Sequence, residues 1–296
     1  MLSQLVAHTL PLVPGPIMRR LSLRYIAGET LALALARLQA LQAEGHPGVL
    51  DILGEEIHSE SEAREVAAQY CAAATAIKEH KIDAYVSIKP THLGLSSSED
   101  LCFELYSIVA EHCKQLGIFL RVEMEDHTTT DATLRVFERL RLEFEAIGCV
   151  LQSRLFRTAD DIAALKAGPL NVRLVKGIYL EPSEVAHTDA GPIREAFLEN
   201  AAQLLERDAT VAFATHDEAA AESIAQLVRA KGLRSDQYEF QVLLGVQKPL
   251  WTKLKEQGHA VRVYVPYGPD WRAYSTRRLI KNPEIVKHVF RNMFTG

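Results

Sequence analysis

No run of about 18 consecutive apolar residues occurs in the chain, which excludes an ordinary membrane-spanning helix. Cysteine is scarce: Cys71, Cys102, Cys113 and Cys149 form no CxxC pair and carry no metal-ligand spacing. Three of them fall in or beside apolar stretches, where a free thiol behaves as a small hydrophobe. The expectation is reduced structural thiols in a cytoplasmic protein. A surplus of positive charge is also missing. The formal net charge of −5 supplies no concentrated cationic surface for nucleic acid. Residues 1–17 are mildly apolar but interrupted by Pro11, Pro14 and Pro16, with no basic region ahead of them, which speaks against a secretory leader. No low-complexity or Ser/Gly-rich linker divides the sequence, so one domain is expected.

What is present is an ordinary globular composition, 48% apolar and 24% charged over 296 residues, enough for a full core. Short apolar or β-branched runs alternate with longer helical patterns. Candidate strands are 49–54, 84–88, 118–124, 149–152, 171–175, 210–214, 238–243 and 260–265. Between them, segments 61–79, 99–116, 132–146, 192–206 and 218–231 place apolar residues at i, i+3, i+4 with charges between, as amphipathic helices do. Ser59, Ser61 and Thr130 or Asp131 are candidate N-caps. Thr158 to Asp161 opens a short helix that Gly168-Pro169 stops. Eight strand–helix alternations imply parallel strands, and a closed (β/α)8 TIM-type barrel accommodates eight of them. An open doubly wound sheet usually carries a GxGxxG turn after its first strand, and none follows 49–54. The division expected is an N-terminal helical segment, 1–45, then a barrel with a C-terminal helix, 46–296.

Barrel chemistry sits where strands end and the following loops begin. Those positions hold Glu55, Lys89-Pro-Thr91, Glu123, Glu125, Asp126-His127, Gln152, Arg154, Arg173, Lys176-Gly177 and Thr215-His216-Asp217. Glu239, Gln241, Arg262 and Tyr264 follow, then Tyr274, Arg277 and Arg278 on the last helix. Singly, each has an ordinary explanation: a solvated strand-end cation, a salt-bridge partner of Arg121, a packed strand tyrosine. Eight strands all ending in polar groups exceed what solubility requires. A hydrolytic metal site would want converging His, Asp and Glu ligands, and no strand carries an HxH pair. A Schiff-base lysine at Lys176 would need crowding by cations, which Arg173 could supply. The arginines and lysines suit best a site for anions, a cofactor diphosphate and a substrate carboxylate, since guanidinium binds carboxylate bidentately.

The ordered set Asp51-Ile-Leu-Gly-Glu55, Ser87-Ile-Lys-Pro-Thr91, Gln152-Ser-Arg154, Val172-Arg-Leu-Val-Lys-Gly177, Ala214-Thr-His-Asp217, Tyr238-Glu-Phe-Gln241, Arg262-Val-Tyr-Val-Pro266 and Tyr274-Ser-Thr-Arg-Arg278 resembles the motifs of the proline dehydrogenase family. They occur in the family's order, one per strand end, over residues 50–282. The size resembles the short monofunctional bacterial type. The resemblance implies a distorted barrel that oxidises L-proline to Δ1-pyrroline-5-carboxylate with FAD, by hydride transfer to flavin N5. It implies no metal. It assigns Arg173 and Glu123 to catalysis, and Lys89, Tyr179, Tyr264, Tyr274, Arg277 and Arg278 to the substrate, with Glu55 pairing with Arg277 over it. Met124, Gln152, Arg173, Val175, Lys176, Gly177, Ile178, Thr215, His216 and Glu239 would line the FAD. It further implies a quinone as electron acceptor and peripheral contact with a membrane. Amphipathic stretches 2–12 and 17–41 could support that contact, although packing on the barrel is the preferred reading. The chain departs from the family at Glu123, usually Asp, at Ile178, typically alanine, and at Leu180 and Lys281. These departures leave open a proline analogue as substrate, or a non-catalytic binding role.

Overall fold

The structure, a computed structural model, describes residues 18–19 and 22–272. Tyr274, Arg277, Arg278 and Lys281 lie outside the described residues. Eight parallel strands close into a barrel in sequence order. They are β1 (Gly48–Ile52), β2 (Ala84–Ile88), β3 (Leu120–Val122), β4 (Ile147–Gln152), β5 (Asn171–Val175), β6 (Thr210–Ala214), β7 (Tyr238–Leu243) and β8 (Val261–Tyr267). The ring closes by pairing β1 with β8, from Gly48 opposite Val263 to Ile52 opposite Tyr267. The barrel expected from the alternation of strand and helix is therefore the observed fold.

The helices are α1 (Leu31–Ala43), α2 (Glu60–Glu79), α3 (Glu99–Leu116), α4 (Thr130–Leu140), α5 (Thr158–Ala164), α6 (Ala190–Glu206), α7 (Glu218–Ala230) and α8 (Lys248–Glu256). Strand residues facing them, such as Val86, Ile88, Val122, Leu174, Phe213 and Val263, are fully buried between the two layers. This two-sided burial explains why the strands read as nearly continuous apolar runs. Several helix starts are capped by local chemistry. Ser98 Oγ accepts from Leu101 N at 3.2 Å, and Asp217 from Ala220 N at 3.2 Å. Ser59 occupies an N-cap position but spends its hydroxyl on Ser61, 2.7 Å away.

Helix α1 precedes the first strand and buries Ala34, Leu35, Leu38 and Leu41 against β1 and β8. In a regular barrel the helix after β8 covers this junction. Here an N-terminal helix does so, and Leu38 lies so close to Gly48 that a Cβ there would stand 2.2 Å from it. Ahead of α1, Ala27 N donates to Pro266 O at 2.9 Å, and Gly268 N returns to Gly28 O at 3.0 Å.

Strands β1, β3, β4 and β8 differ from their expected bounds by one to two residues at their ends, and two helices differ more. Helix α4 stops at Leu140 rather than running to 146, because Arg141 turns inward to donate to Lys166 O (3.0 Å) and Pro169 O (3.1 Å). Helix α8 falls in a segment read without a helix; Pro249 in its first turn suits a helix start. Among the described residues, no helix is long and apolar enough to cross a membrane.

Candidate active site

Side chains alternate across a strand, so the outward apolar set fixes a second set pointing into the barrel. In this chain that inner set mixes polar residues with apolar ones such as Val49, Val150 and Ala212. At its centre is Arg173 on β5, 3% exposed. Its Nη1 donates to Glu123 Oε1 at 2.5 Å, its Nε to Gln241 Oε1 at 2.6 Å, and its Nη2 to Ser87 Oγ at 3.3 Å. Ser87 in turn donates to Glu123 Oε1 at 2.5 Å. The Tyr264 ring faces the guanidinium, 5.1 Å from its centroid. Four strands thus fix one planar cation. Burial opposes ionisation of Glu123, but the Arg173 charge, the Ser87 bond and Lys89 outweigh it and hold the carboxyl below its ordinary range.

Above this pair lies another. Lys89 Nζ sits 3.2 Å from the fully buried Asp51. Burial raises the Asp51 carboxyl despite Lys89 and a hydrogen bond from Tyr264. Lys89, Asp51, Tyr264, Arg173 and Glu123 are therefore one electrostatic cluster. Thr91 ties the next loop to it: its N and Oγ1 donate to Glu125 at 2.9 and 2.7 Å. The same Thr91 accepts from Glu56 N through Oγ1 (2.9 Å) and from Ile57 N through its carbonyl (3.0 Å). Glu55, half-buried, rides on this pinned loop. Burial pushes Glu125 up to about 7 against the bonds from Thr91. Burial also raises the Tyr179 phenol, and the charges of Glu125, Glu55 and Glu123 add to it, which puts Tyr179 in the same neighbourhood.

Beside this cluster the loops after β4, β5 and β6 form a second region. Gln152 Nε2 donates to Glu125 O (2.8 Å) and to Glu181 Oε1 (3.2 Å). Its Oε1 is buried with no hydrogen-bond partner among the described residues. Gly177 faces that oxygen with φ +97°, and a Cβ there would lie 2.6 Å from it. An acceptor left unmatched, against a glycine that brings no side chain over it, suits a ligand N–H. Lys176 and Arg194 both bind Asp217, at 3.0 and 2.9 Å. Thr215 Oγ1 accepts from Asp217 N at 3.1 Å. Leu243 N donates to His216 Nε2 at 2.8 Å, so the ring proton resides on Nδ1. Val175 is half-buried, Met124 buried, and Ile178 is exposed on the loop after β5.

One expected cofactor residue is elsewhere. Glu239 lies near the start of β7, where its carboxylate pairs with Arg262 at 2.9 Å. Arg262 also donates to Gly48 O, at the start of β1, at 3.1 Å. Both belong to the barrel floor, opposite the loops that carry the other site residues. Treating every polar strand residue as a strand-end residue put Glu239 on the wrong side. The Schiff-base reading also loses its basis, since the Lys176–Asp217 salt bridge is the reverse of the cation-crowded setting it needs.

Sequence reasoning missed Glu181. Its nearly inaccessible carboxylate accepts from His127 Nδ1 (2.6 Å), His127 N (3.1 Å) and Gln152. It clasps the loop after β3 to the loop after β5, and a lone acid in a loop carries no periodic signal.

Residues 34–290 match the family described as proline dehydrogenase. A proline dehydrogenase of Deinococcus radiodurans is 37% identical over 284 residues, covering 94% of this chain and 92% of that protein. Proline dehydrogenase 1 of Bacillus subtilis strain 168 is 35% identical over 271 residues, covering 91% of this chain and 89% of that one. Among solved structures, proline utilization A of Bdellovibrio bacteriovorus, inactivated by N-propargylglycine, superposes with a TM-score of 0.82 at 24% identity. It is matched over 88% of this chain and 32% of its own length.

Proposed function

This chain belongs to the proline dehydrogenase family, and from that premise we infer that it oxidises L-proline to Δ1-pyrroline-5-carboxylate on an FAD held at the barrel mouth. The observation that carries the cofactor half is the unmatched Gln152 Oε1 against Gly177, an acceptor with no side chain over it that suits the N–H edge of a flat flavin ring. The residues present therefore fit the group. Gln152, Val175, Gly177, Thr215 and His216 would hold the ring and its tail, with Met124 and Ile178 lining the pocket and Lys176 near the phosphates. When bound, the flavin supplies the hydride acceptor.

The protein's own contribution is orientation and charge. Arg173, kept charged by its pair with Glu123, presents a fixed cation to an anion developing beside it, with no reorganisation needed at that moment. Lys89 offers a second cation to the substrate carboxylate, with Arg277 and Arg278 as the bidentate grip. Tyr179 and Tyr264 would wall the five-membered ring, with roles for Tyr274 and for a Glu55–Arg277 pair carried over from the family resemblance alone. Glu123, where the family usually has Asp, still reaches both Ser87 and Arg173 at 2.5 Å, so the longer side chain keeps the contact. That geometry favours a catalytic chain over a binding relative. Electrons pass onward to a quinone acceptor, which brings the protein into peripheral contact with a membrane.

Tyr264 tests the substrate wall. Tyr264→Ser opens room for a ring hydroxyl, so the kcat/KM ratio of hydroxyproline to proline rises at least about tenfold. An unchanged ratio removes Tyr264 from the ring wall.

A further inference from the structure

Below Arg173, towards the barrel floor, the interior holds two more guanidinium groups, Arg121 on β3 and Arg262 on β8. Each interior arginine is met by an acid except one. Arg173 has Glu123, and Arg262 has Glu239 and the solvent-facing Asp83. Arg121 is 2% exposed and touches no carboxylate among the described residues. Its Nη1 donates to Cys149 O and Asn171 O, both at 3.1 Å, and its Nε finds no acceptor among the described residues. Among the described residues, the one ionisable acceptor within its reach is the Tyr85 oxygen, 3.5 Å from Nη2. A buried cation without a counter-charge is expensive, and a phenolate would meet that need.

Tyr85 is also arranged to accept. Gln241 offers its carbonyl to Arg173 Nε and its amide to the Glu239 carboxylate, an orientation both neighbours enforce. The same amide therefore donates to Tyr85 Oη, at 2.6 Å. The hydrogen bonds drawn to that oxygen come from donors, Gln241 and Arg121, with the Arg173 guanidinium a third donor beside it, and no acceptor for its own proton stands among them. The ring is held from several sides: Phe119 edge-on at 5.1 Å, Arg262 over it at 5.0 Å and Arg121 at 5.6 Å.

We propose that Tyr85 is a positioning residue for Arg173, a phenolate-forming acceptor that balances Arg121 and fixes Gln241 against the Arg173 guanidinium. The charged groups facing it are Arg121 from β3, Arg173 from β5, Glu239 from β7 and Arg262 from β8; β1 presents Val49 at this level. Burial alone would raise the phenol, and Glu239 adds to that, but Arg121, Arg173 and Arg262 outweigh both and leave it below the ordinary tyrosine range. Tyr25, Tyr70, Tyr106, Tyr179, Tyr238 and Tyr267 are all pushed the other way by burial.

The inference rests on the proposed function only for what Arg173 does, so its first test reads ionisation without turnover. The full chain, FAD-loaded and labelled with 13C at tyrosine Cζ, is titrated from about pH 7 to about pH 10. Among its nine tyrosines, one resonance moves to the phenolate position ahead of the rest, is absent from Tyr85→Phe, and moves later in Arg121→Met. A Tyr85 resonance that moves with or after the others overturns the proposal. If Tyr85→Phe does not fold, the shift of the early resonance in Arg121→Met decides alone, and no shift there overturns it. In folded Tyr85→Phe, FAD binding stays within about twofold while reduction by proline slows about tenfold or more. An unchanged reduction rate removes the positioning role. Failure of proline to reduce the wild type would instead count against the substrate reading and leave the titration result standing.

Discussion

Glu125 shows how a single buried acid couples stability to the working loops. Its carboxyl takes two bonds from Thr91, and Thr91 holds the backbone of the loop that carries Glu55. Burial raises its pKa from 4.5 to about 7. A folded-state pKa above the unfolded one stabilises the fold at low pH, and that contribution is lost as pH rises from about 4.5 through about 7. Over that window the loss amounts to roughly 3 kcal/mol as an upper figure. Glu125→Gln keeps an acceptor for Thr91 and removes the titration. Denaturant unfolding across this pH range is expected to slope downward in the wild type and to flatten in the variant. Equal slopes would place the titrating group elsewhere. The residue-scale reading of the sequence named Glu125 and Thr91 as strand-end groups but could not join them, because their bond spans two strands and depends on barrel register.

Secondary structure was the most legible level. Strands at 84–88, 171–175, 210–214 and 238–243 and the helix at 99–116 match their observed bounds, since each combines a clear period with a turn signal at its ends. Boundaries set by tertiary contacts were not legible. The early end of α4 depends on Arg141 reaching carbonyls of residues 166 and 169, and the small size required at Gly48 depends on Leu38 of α1. The loop after β5 makes a similar demand at Gly177, whose positive φ an L side chain adopts only with strain. Gly177→Ala is expected to cost about 1–3 kcal/mol in the folded protein. It also sets a methyl group against Gln152 Oε1, so FAD affinity falls at least about tenfold. Calorimetric titration with FAD, beside thermal unfolding, checks both. An alanine variant with undiminished flavin affinity would contradict the cradle assigned to these two residues.

Across the whole molecule, the barrel is apolar outside its strands and carries ion pairs within them. Helices α1 to α8 bury the outer faces, while the lumen carries Lys89–Asp51, Arg173–Glu123 and Arg262–Glu239 in successive layers from mouth to floor. An ordinary barrel fills this space with branched aliphatic side chains. Replacing them with ion pairs gains little stability, so the polar lumen is better explained by what it supports at the mouth. Strand–helix alternation in the sequence indicated a barrel, the strand-end arginines and lysines a site for anions, and the ordered motifs a resemblance to one family. None of these separated mouth from floor, which is why Glu239 was expected beside the cofactor and lies at the opposite end. The depth of a residue in a barrel depends on strand stagger, and no local pattern encodes that. On the proposed function, this lumen presents Arg173 to an FAD that L-proline reduces. The most direct measurement is the absorbance spectrum of the FAD-loaded protein during anaerobic addition of L-proline. The expected result is flavin bands near ~450 nm that bleach as proline is added; bands that persist with excess proline would overturn the proposed function.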